Sequence, residues 1–398
     1  MKTIEILFWV GLFIIFYAYI GYGILLFFLV RLKRLFGRKN EQRIENYEPE
    51  VTLLISAYNE KDFVEQKVKN TRELDYPKEK LRQIWVTDGS DDGTPDLLRK
   101  FPDVEVYHQP ERRGKIAAMN RGVKLVKTPI VIFSDANTLL GKNSVREIVN
   151  LFANPKVGCV SGEKRIFSKD SDTAAGAGEG LYWKYESTLK KWDAELYSVV
   201  GAAGELFAIR TELFQDVEPD TLLDDFIISL RTAMKGYTIQ YNPEAYAIEA
   251  PSANVKEELK RKIRISAGGI QSVIRLKELL NIFKYGVLSF QYISHRVLRW
   301  TLAPLFLLLI FVFNFVLLYA NDLYLNPEIY RWLFWGQSIF YIAALLGWIL
   351  ENRKLRLKIL FVPYYFFIMN LSVYLGFKRF LKGQQSVNWE RARRGQAP

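Results

Sequence analysis

The sequence predicts an α/β fold with a doubly wound, mostly parallel sheet, joined to an α-helical transmembrane region. Three observations lead there. Strand-like and helix-like segments alternate between residues 45 and 255, two of the strands run into clusters of carboxylates, and long apolar runs stand at both ends of the chain. Hydrophobic residues make up 49% of the 398 positions and charged residues 25%. That combination requires the two properties to be segregated along the chain.

The first apolar run, Ile6 to Val30, contains no charged residue. It is too long for a signal-peptide core and lacks a small-residue cleavage site, so it reads as a retained anchor. Three further runs, Trp300 to Ala320, Trp332 to Leu350 and Ile359 to Phe377, approach the ~20 residues that cross ~30 Å of hydrocarbon as a helix. Their Trp- and Tyr-rich ends suit membrane interfaces better than a buried core. Arg31, Lys33, Arg34, Arg38 and Lys39 follow the first run, and Arg353, Lys354, Arg356 and Lys358 follow the third. By the positive-inside rule these segments, and with them the middle of the chain, are cytosolic. Much of the net charge of +12 sits beside these runs, so topology and anionic lipid explain it and nucleic-acid binding is not expected. A full crossing by the fourth run would carry Lys378 to Arg394 outside. Pro363 and Asn370 interrupt that run, which favours a re-entrant or interfacial helix and a cytosolic tail. The single Cys159 allows no internal disulfide and fits core packing in a reducing compartment.

In the middle region, Val51 to Ala57 is a continuous apolar run suited to a buried parallel strand. Asp62 to Glu73 reads as helix, Gln83 to Thr87 as strand, and a short helix starts at Pro95. Val104 to Tyr107 is a strand, Lys115 to Val126 a helix, Ile130 to Ser134 a strand, Ser144 to Phe152 a helix and Val157 to Ser161 a strand. This alternation implies helical crossovers and a parallel sheet. No Gly-x-Gly-x-x-Gly or Walker loop follows any strand, so dinucleotide and ATP readings lose their main support. The expected divisions are an anchor (1–31), an α/β domain (32–255), amphipathic interfacial helices (256–296), transmembrane or interfacial helices (297–382) and a basic cytosolic tail (383–398). In the amphipathic part, Ile270, Val273, Ile274 and Leu280 alternate with Arg275, Lys277 and Lys284. They suit the membrane face or, alternatively, packing on the domain. His295 is expected to satisfy an interfacial hydrogen bond.

Ligands of open α/β sheets bind at the carboxyl ends of the strands. There the chain carries Ala57-Tyr58-Asn59-Glu60, Asp88-Gly-Ser-Asp91-Asp92-Gly-Thr94 and Asp135-Ala136-Asn137. Tyr58 can stack on a base and Glu60 bond a sugar or base edge, or the segment is an ordinary turn. Asp88 can accept from a base N–H or a ribose hydroxyl, while Asp91 and Asp92 suit turn and capping roles. Lys115 opens a helix and can meet phosphate or simply be solvated. Asp135 and Asn137 project to one face of an extended segment. A hard divalent ion needs only one or two such protein ligands when diphosphate and water complete its shell. Asp224 and Asp225 begin an apolar helix, where they serve the helix dipole or leave one carboxylate suited to take a proton from a hydroxyl. Gly201, Gly204 and Glu205 precede that helix, and the glycines permit close approach of a sugar or form a loop turn.

These segments resemble the family 2 glycosyltransferases, above all the processive membrane members such as cellulose, hyaluronan and poly-N-acetylglucosamine synthases. The resemblance covers residues 50 to 300 in order and spacing. It implies a GT-A-like fold, a nucleotide site at Ala57, Tyr58, Glu60, Asp88, Lys115 and Asp135, and a metal, Mg2+ or Mn2+, at Asp135 and Asn137, where the family's second acid is replaced by Asn. Leu223-Asp224-Asp225 is similar to the pair whose second member is the general base, which implies Asp225 in that role beside Asp224. Lys260 to Ile265 resembles the motif that holds the diphosphate, with Arg261 and Arg264 in register and Ile265 where an acceptor-stacking Trp is expected. Gly204 and Glu205 fall at the acceptor side, and Trp389 resembles a gating-loop Trp. The implied reaction is inverting transfer from a UDP-sugar to a polysaccharide or glycan acceptor at the membrane. Single-sugar transfer to a lipid-linked acceptor and a non-catalytic nucleotide-sugar-binding transporter or scaffold are the alternatives.

Overall fold

A computed structural model describes residues 1–36, 47–167, 174–250, 255–320, 322–352 and 357–383. Trp389 and the basic tail beyond 383 lie outside the described residues. The sheet strands are β1 (Val51–Ala57), β2 (Leu81–Asp88), β3 (Glu105–Gln109), β4 (Ile130–Asp135), β5 (Leu139–Leu140), β6 (Val157–Ile166), β7 (Leu206–Arg210) and β8 (Thr238–Glu249). Their spatial order is β3-β2-β1-β4-β7-β6-β8-β5.

The first half is the parallel sheet the sequence predicts. β1 lies between β2 and β4, parallel to both, and β3 adds in parallel at the edge. Val51, Leu53, Leu54 and Ile55 of β1 and Ile130 to Ile132 of β4 are buried because helices cover both faces of these strands. The Lys115–Val123 helix comes so close that a Cβ on Gly122 would stand 2.7 Å from a Leu54 methyl. The second half adds antiparallel pairs to a sheet that stays mostly parallel, as the sequence predicts. β7 runs antiparallel to both β4 and β6, β8 is parallel to β6, and β5 is antiparallel to β8. The sheet is therefore mixed. The register that matters for function pairs Ala57 with Thr87 and Ser56 with Asp135, which brings the ends of β1, β2 and β4 to one edge.

Among the described residues three helices are long and apolar enough to cross a membrane: Lys2–Phe36, Pro327–Glu351 and Ile359–Leu381. The first is longer than the predicted anchor, and its inner part is not lipid-facing all round. Tyr22, Leu26 and Val30 are buried with Leu189 of the Ala174–Leu196 helix. The second predicted span is different in shape. Leu302–Leu317 has sixteen residues, about 24 Å at 1.5 Å per residue, and it bends by 50° from Val287–Trp300 at Thr301. The fourth run continues as one helix through Pro363, so the interruption expected from Pro363 and Asn370 is absent. Asn370 stays helical because its amide donates to the Phe366 carbonyl while its oxygen accepts from Tyr19. Of the amphipathic residues, Ile270 is buried and Ile274 and Leu280 are exposed.

His295 meets its expected role at the junction of these parts. Its Nδ1 lies 2.6 Å from Asp193 Oδ2 and its Nε2 3.2 Å from Glu186 Oε1. Glu186 also pairs with Arg296 at 2.7 Å and Arg299 at 3.1 Å, and Tyr22 and Gln291 donate to Asp193. This buried network ties the first helix, the Ala174–Leu196 helix and the bent pair together.

Candidate active site

A cleft of about 610 Å3, counted out to its open mouth, lies at the shared edge and is lined by residues including Ala57, Tyr58, Glu60, Asp88, Lys115, Asp135 and Asn137. The loops that frame it are fixed by side-chain hydrogen bonds. Asn59, held at a left-handed φ of 52°, exchanges two hydrogen bonds with Asp91, donating at 2.7 Å and accepting at 3.0 Å. Asp92 accepts from the backbone N–H groups of Lys61 at 3.1 Å and Thr94 at 2.9 Å. Both acids thus build turns.

Asp88 is 3% exposed. Its Oδ2 accepts from the backbone N–H groups of Arg113 at 2.8 Å and Gly114 at 2.6 Å. Its buried Oδ1 accepts no hydrogen bond, with Arg121 3.5 Å away. A buried carboxylate oxygen left open in this way is suited to a ligand N–H or O–H. One face of the Tyr58 ring is covered by the Arg112 guanidinium, 3.7 Å from the ring centroid. Arg112 went unrecognised in the sequence; its signal was the basic pair directly before Gly114, which takes φ 91°.

Lys115 reaches into the carboxylates, with Nζ 2.9 Å from Asp135 Oδ1 and 3.4 Å from Asp224 Oδ2. Burial opposes its charge, but Asp135 and Asp224 outweigh that and push it up. It is therefore a buried, paired cation and not a solvated surface lysine. Asp224 and Asp225 open the Asp224–Met234 helix in its first turn, with Leu223 at the cap position, so neither caps the helix. Asp224 Oδ2 is buried and makes no hydrogen bond. Burial, and then the neighbouring charge of Asp224, push the Asp225 carboxyl up to about 7. Gly204 makes room for it: a Cβ there would stand 3.1 Å from Asp225 Oδ2. The sequence residues Gly204 and Asp225, far apart in the chain, thus share one wall.

Arg264, on the Val255–Arg275 helix, is held below the usual arginine range by burial, against the pull of Asp224, Asp135 and Asp225. It belongs electrostatically to the same cluster. Arg261 points into a neighbouring network, pairing with Glu258 at 2.8 Å. Glu205 joins that network, accepting from Lys164 at 2.5 Å, and Lys164 also pairs with Glu249. Burial would raise Glu205, but Lys164 outweighs it and holds the carboxyl well below its usual range. Glu205 is thus an ionised, already paired group, in contrast to Asp225. Lys164 was not anticipated, since a lysine in an alternating strand reads as a solvent-facing residue. Behind Asp135, Lys67 is fully buried, and burial pulls it down to about 7 against the attraction of Asp135.

The mixed α/β sheet, with paired carboxylates and cations gathered at the ends of its parallel strands, defines a GT-A-like glycosyltransferase architecture. Residues 52–218 match the family described as Glycosyl transferase family 2; the chain carries a domain of that family and is a glycosyltransferase. It is similar to the poly-beta-1,6-N-acetyl-D-glucosamine synthase of Staphylococcus aureus (strain MSSA476), 25% identical over 283 residues that cover 69% of this chain and 67% of that one. The synthase of the same description from Staphylococcus epidermidis is 25% identical over 265 residues, covering 64% and 62%. Among solved structures, a mannosyltransferase from Pyrobaculum calidifontis in complex with GDP-Man and Mn2+ has the same fold, with a TM-score of 0.68 and 22% identity over 95% of this chain and 100% of that one.

Proposed function

We propose that the protein is an inverting, metal-dependent glycosyltransferase that moves a sugar from a UDP-sugar to a polysaccharide or glycan acceptor at the membrane, with the catalytic domain on the cytoplasmic side. The observation that carries this reading is the cleft lined by Asp88, Lys115 and Asp135, where Lys115 bridges Asp135 to Asp224 and Asp225 and Arg264 share the same electrostatic cluster. Asp88 Oδ1 accepts from the donor base or ribose. Asp225, raised to about 7, is poised near neutrality to take the proton of an acceptor hydroxyl as that oxygen attacks the anomeric carbon. Arg264 and Lys115 face the diphosphate and stabilise the charge it gains on leaving. One such displacement converts an α-linked donor into a β-linked product.

The residues fit a hard divalent cation. Asp135 and Asn137 line the cleft and Asp224 keeps a buried carboxylate oxygen without a hydrogen bond. Among the described residues no cluster of three His, Cys, Asp or Glu closes a metal site alone, which suits an ion that takes the rest of its shell from diphosphate and water. Asp135 and Asn137, with Asp224, would hold Mg2+ or Mn2+, which when bound neutralises diphosphate charge.

Orientation rests on the basic residues Arg31, Lys33 and Arg34 at the inner end of the first helix. Lys33 donates there to the carbonyl of Glu195 at 2.7 Å and Arg34 pairs with its carboxylate, so the domain sits on the basic side of the membrane. Ile265, in place of a stacking aromatic, favours a second reading, transfer of one sugar to a lipid-linked acceptor. A panel of nucleotide-sugars offered to purified protein in detergent tests both. Mn2+-stimulated nucleotide release with one donor supports the proposal, and product length separates polymer from single addition. No release with any nucleotide-sugar would overturn it.

A further inference from the structure

Lys67 is a buried cation that the cleft does not use directly. It lies on the inner face of the Lys61–Arg72 helix and is fully buried, and it makes no ion pair among the described residues. Its ammonium donates to Ser134 Oγ at 2.8 Å and to the Thr138 carbonyl at 2.7 Å, with Thr138 Oγ1 at 3.5 Å. All three acceptors are neutral, and they flank Asp135, Ala136 and Asn137. The turn is also closed on itself, since Thr138 Oγ1 donates to the Asp135 carbonyl at 3.0 Å. Burying an ammonium against neutral oxygens is unfavourable relative to an apolar side chain of the same shape. Packing between helix and sheet therefore does not account for a lysine here. What the ammonium supplies is a set of donors that fixes both ends of the turn and a positive charge behind Asp135.

We infer that Lys67 is a positioning residue that pins the Asp135–Thr138 turn from behind and aims Asp135 and Asn137 into the cleft for the donor diphosphate and its divalent cation. The inference rests on the donor-site reading above. Outer-shell groups that orient metal-binding side chains act in this way without touching the ion.

The test uses the full chain in detergent and the variant Lys67→Met, which keeps the length of the side chain and removes the charge and donors. Mn2+ binding in the presence of UDP is followed by the loss of the free-Mn2+ electron paramagnetic resonance signal, alongside thermal unfolding and the kinetic constants for donor and acceptor. The expected result is Mn2+–UDP affinity weakened about 10- to 100-fold, a raised donor KM, an unchanged acceptor KM and an unfolding temperature equal to or above that of the parent. Thr52→Val, which alters a buried hydroxyl pair with Thr128 at the far end of β1, leaves Mn2+–UDP affinity unchanged. If Lys67→Met does not fold, the double variant Ser134→Ala/Thr138→Val removes the hydroxyl acceptors while keeping the lysine and carries the same expectation for Mn2+–UDP affinity and donor KM, with a lowered unfolding temperature. Parental affinity in a folded variant overturns the inference alone; absence of Mn2+–UDP binding in the parent protein overturns the donor-site reading itself.

Discussion

Replacing Asp225 by Asn separates catalysis from stability more sharply than any other single change. Asparagine is nearly isosteric, so it fits beside Gly204, where the carboxylate stands 3.1 Å from the space a Cβ would fill. The variant cannot accept the acceptor proton, and loss of general-base catalysis costs about 10²- to 10⁴-fold in rate. Donor affinity is retained, because Asp88, Lys115 and Arg264 are untouched. Stability moves in the opposite direction. The carboxyl is raised from 3.8 to about 7, first by burial and then by Asp224, a step on the order of 4 kcal/mol. The residue is half-buried, which makes that an upper bound. Because the folded value lies above the unfolded one, the native carboxylate is protonated more readily than the unfolded one, and stability falls as pH rises from about 4 to about 7. Asparagine carries no such penalty. Thermal unfolding in detergent at pH 5 and pH 8, with nucleotide release and UDP binding in parallel, reads both effects. The expected variant is inactive, binds UDP normally and gains stability over the parent only at the higher pH. Retained turnover, or lower stability than the parent at pH 8, would refute the assignment of a buried, raised base.

Turnover of the parent rises with pH through about 7, the range in which Asp225 ionises. Asp224→Asn removes a like charge and moves that limb to lower pH, which a pH–rate profile detects as a property of the coupled pair. Asp88→Asn keeps an acceptor for the backbone N–H groups of Arg113 and Gly114 but presents an N–H where the open Oδ1 stood; donor KM rises about tenfold or more with little change in unfolding temperature. His295→Ala leaves Asp193 and Glu186 short of a partner in a buried network and lowers stability by about 3 kcal/mol, measured by thermal unfolding with UDP affinity unchanged.

The parallel half of the sheet and its acidic strand ends were legible because local pattern and tertiary role coincide there. β1, β2 and β4 are apolar runs that end in a carboxylate or a polar turn, and a parallel sheet covered on both faces demands such runs. β7 and β8 were not legible. Leu206–Arg210 is five residues long and follows a glycine-rich segment, and Thr238–Glu249 contains Asn242-Pro243, which reads locally as a turn; both become strands through pairing with distant partners. The bend at Thr301 has a signal in Pro304, in the first turn of Leu302–Leu317, which has no N–H to donate to the Trp300 carbonyl and so breaks the helix ahead of it. Pro363 failed as a signal in the opposite sense, since the helix continues through it although it lies past the first turn and has no N–H to donate to the Ile359 carbonyl. In the site, carboxylates were recognisable by their position at strand ends, whereas Lys67 and Lys164 were not. A lysine within an amphipathic helix or strand reads as solvated, and only the folded chain shows that these two point inward.

Determining the structure of the full chain with a UDP-sugar and Mn2+ tests the central claim most directly. The account predicts the uracil or ribose against Asp88, the diphosphate beside Asp135, Lys115 and Arg264, and the anomeric carbon facing the side chain of Asp225. A donor bound elsewhere, or bound with Asp88 and Asp225 on different surfaces, would contradict it.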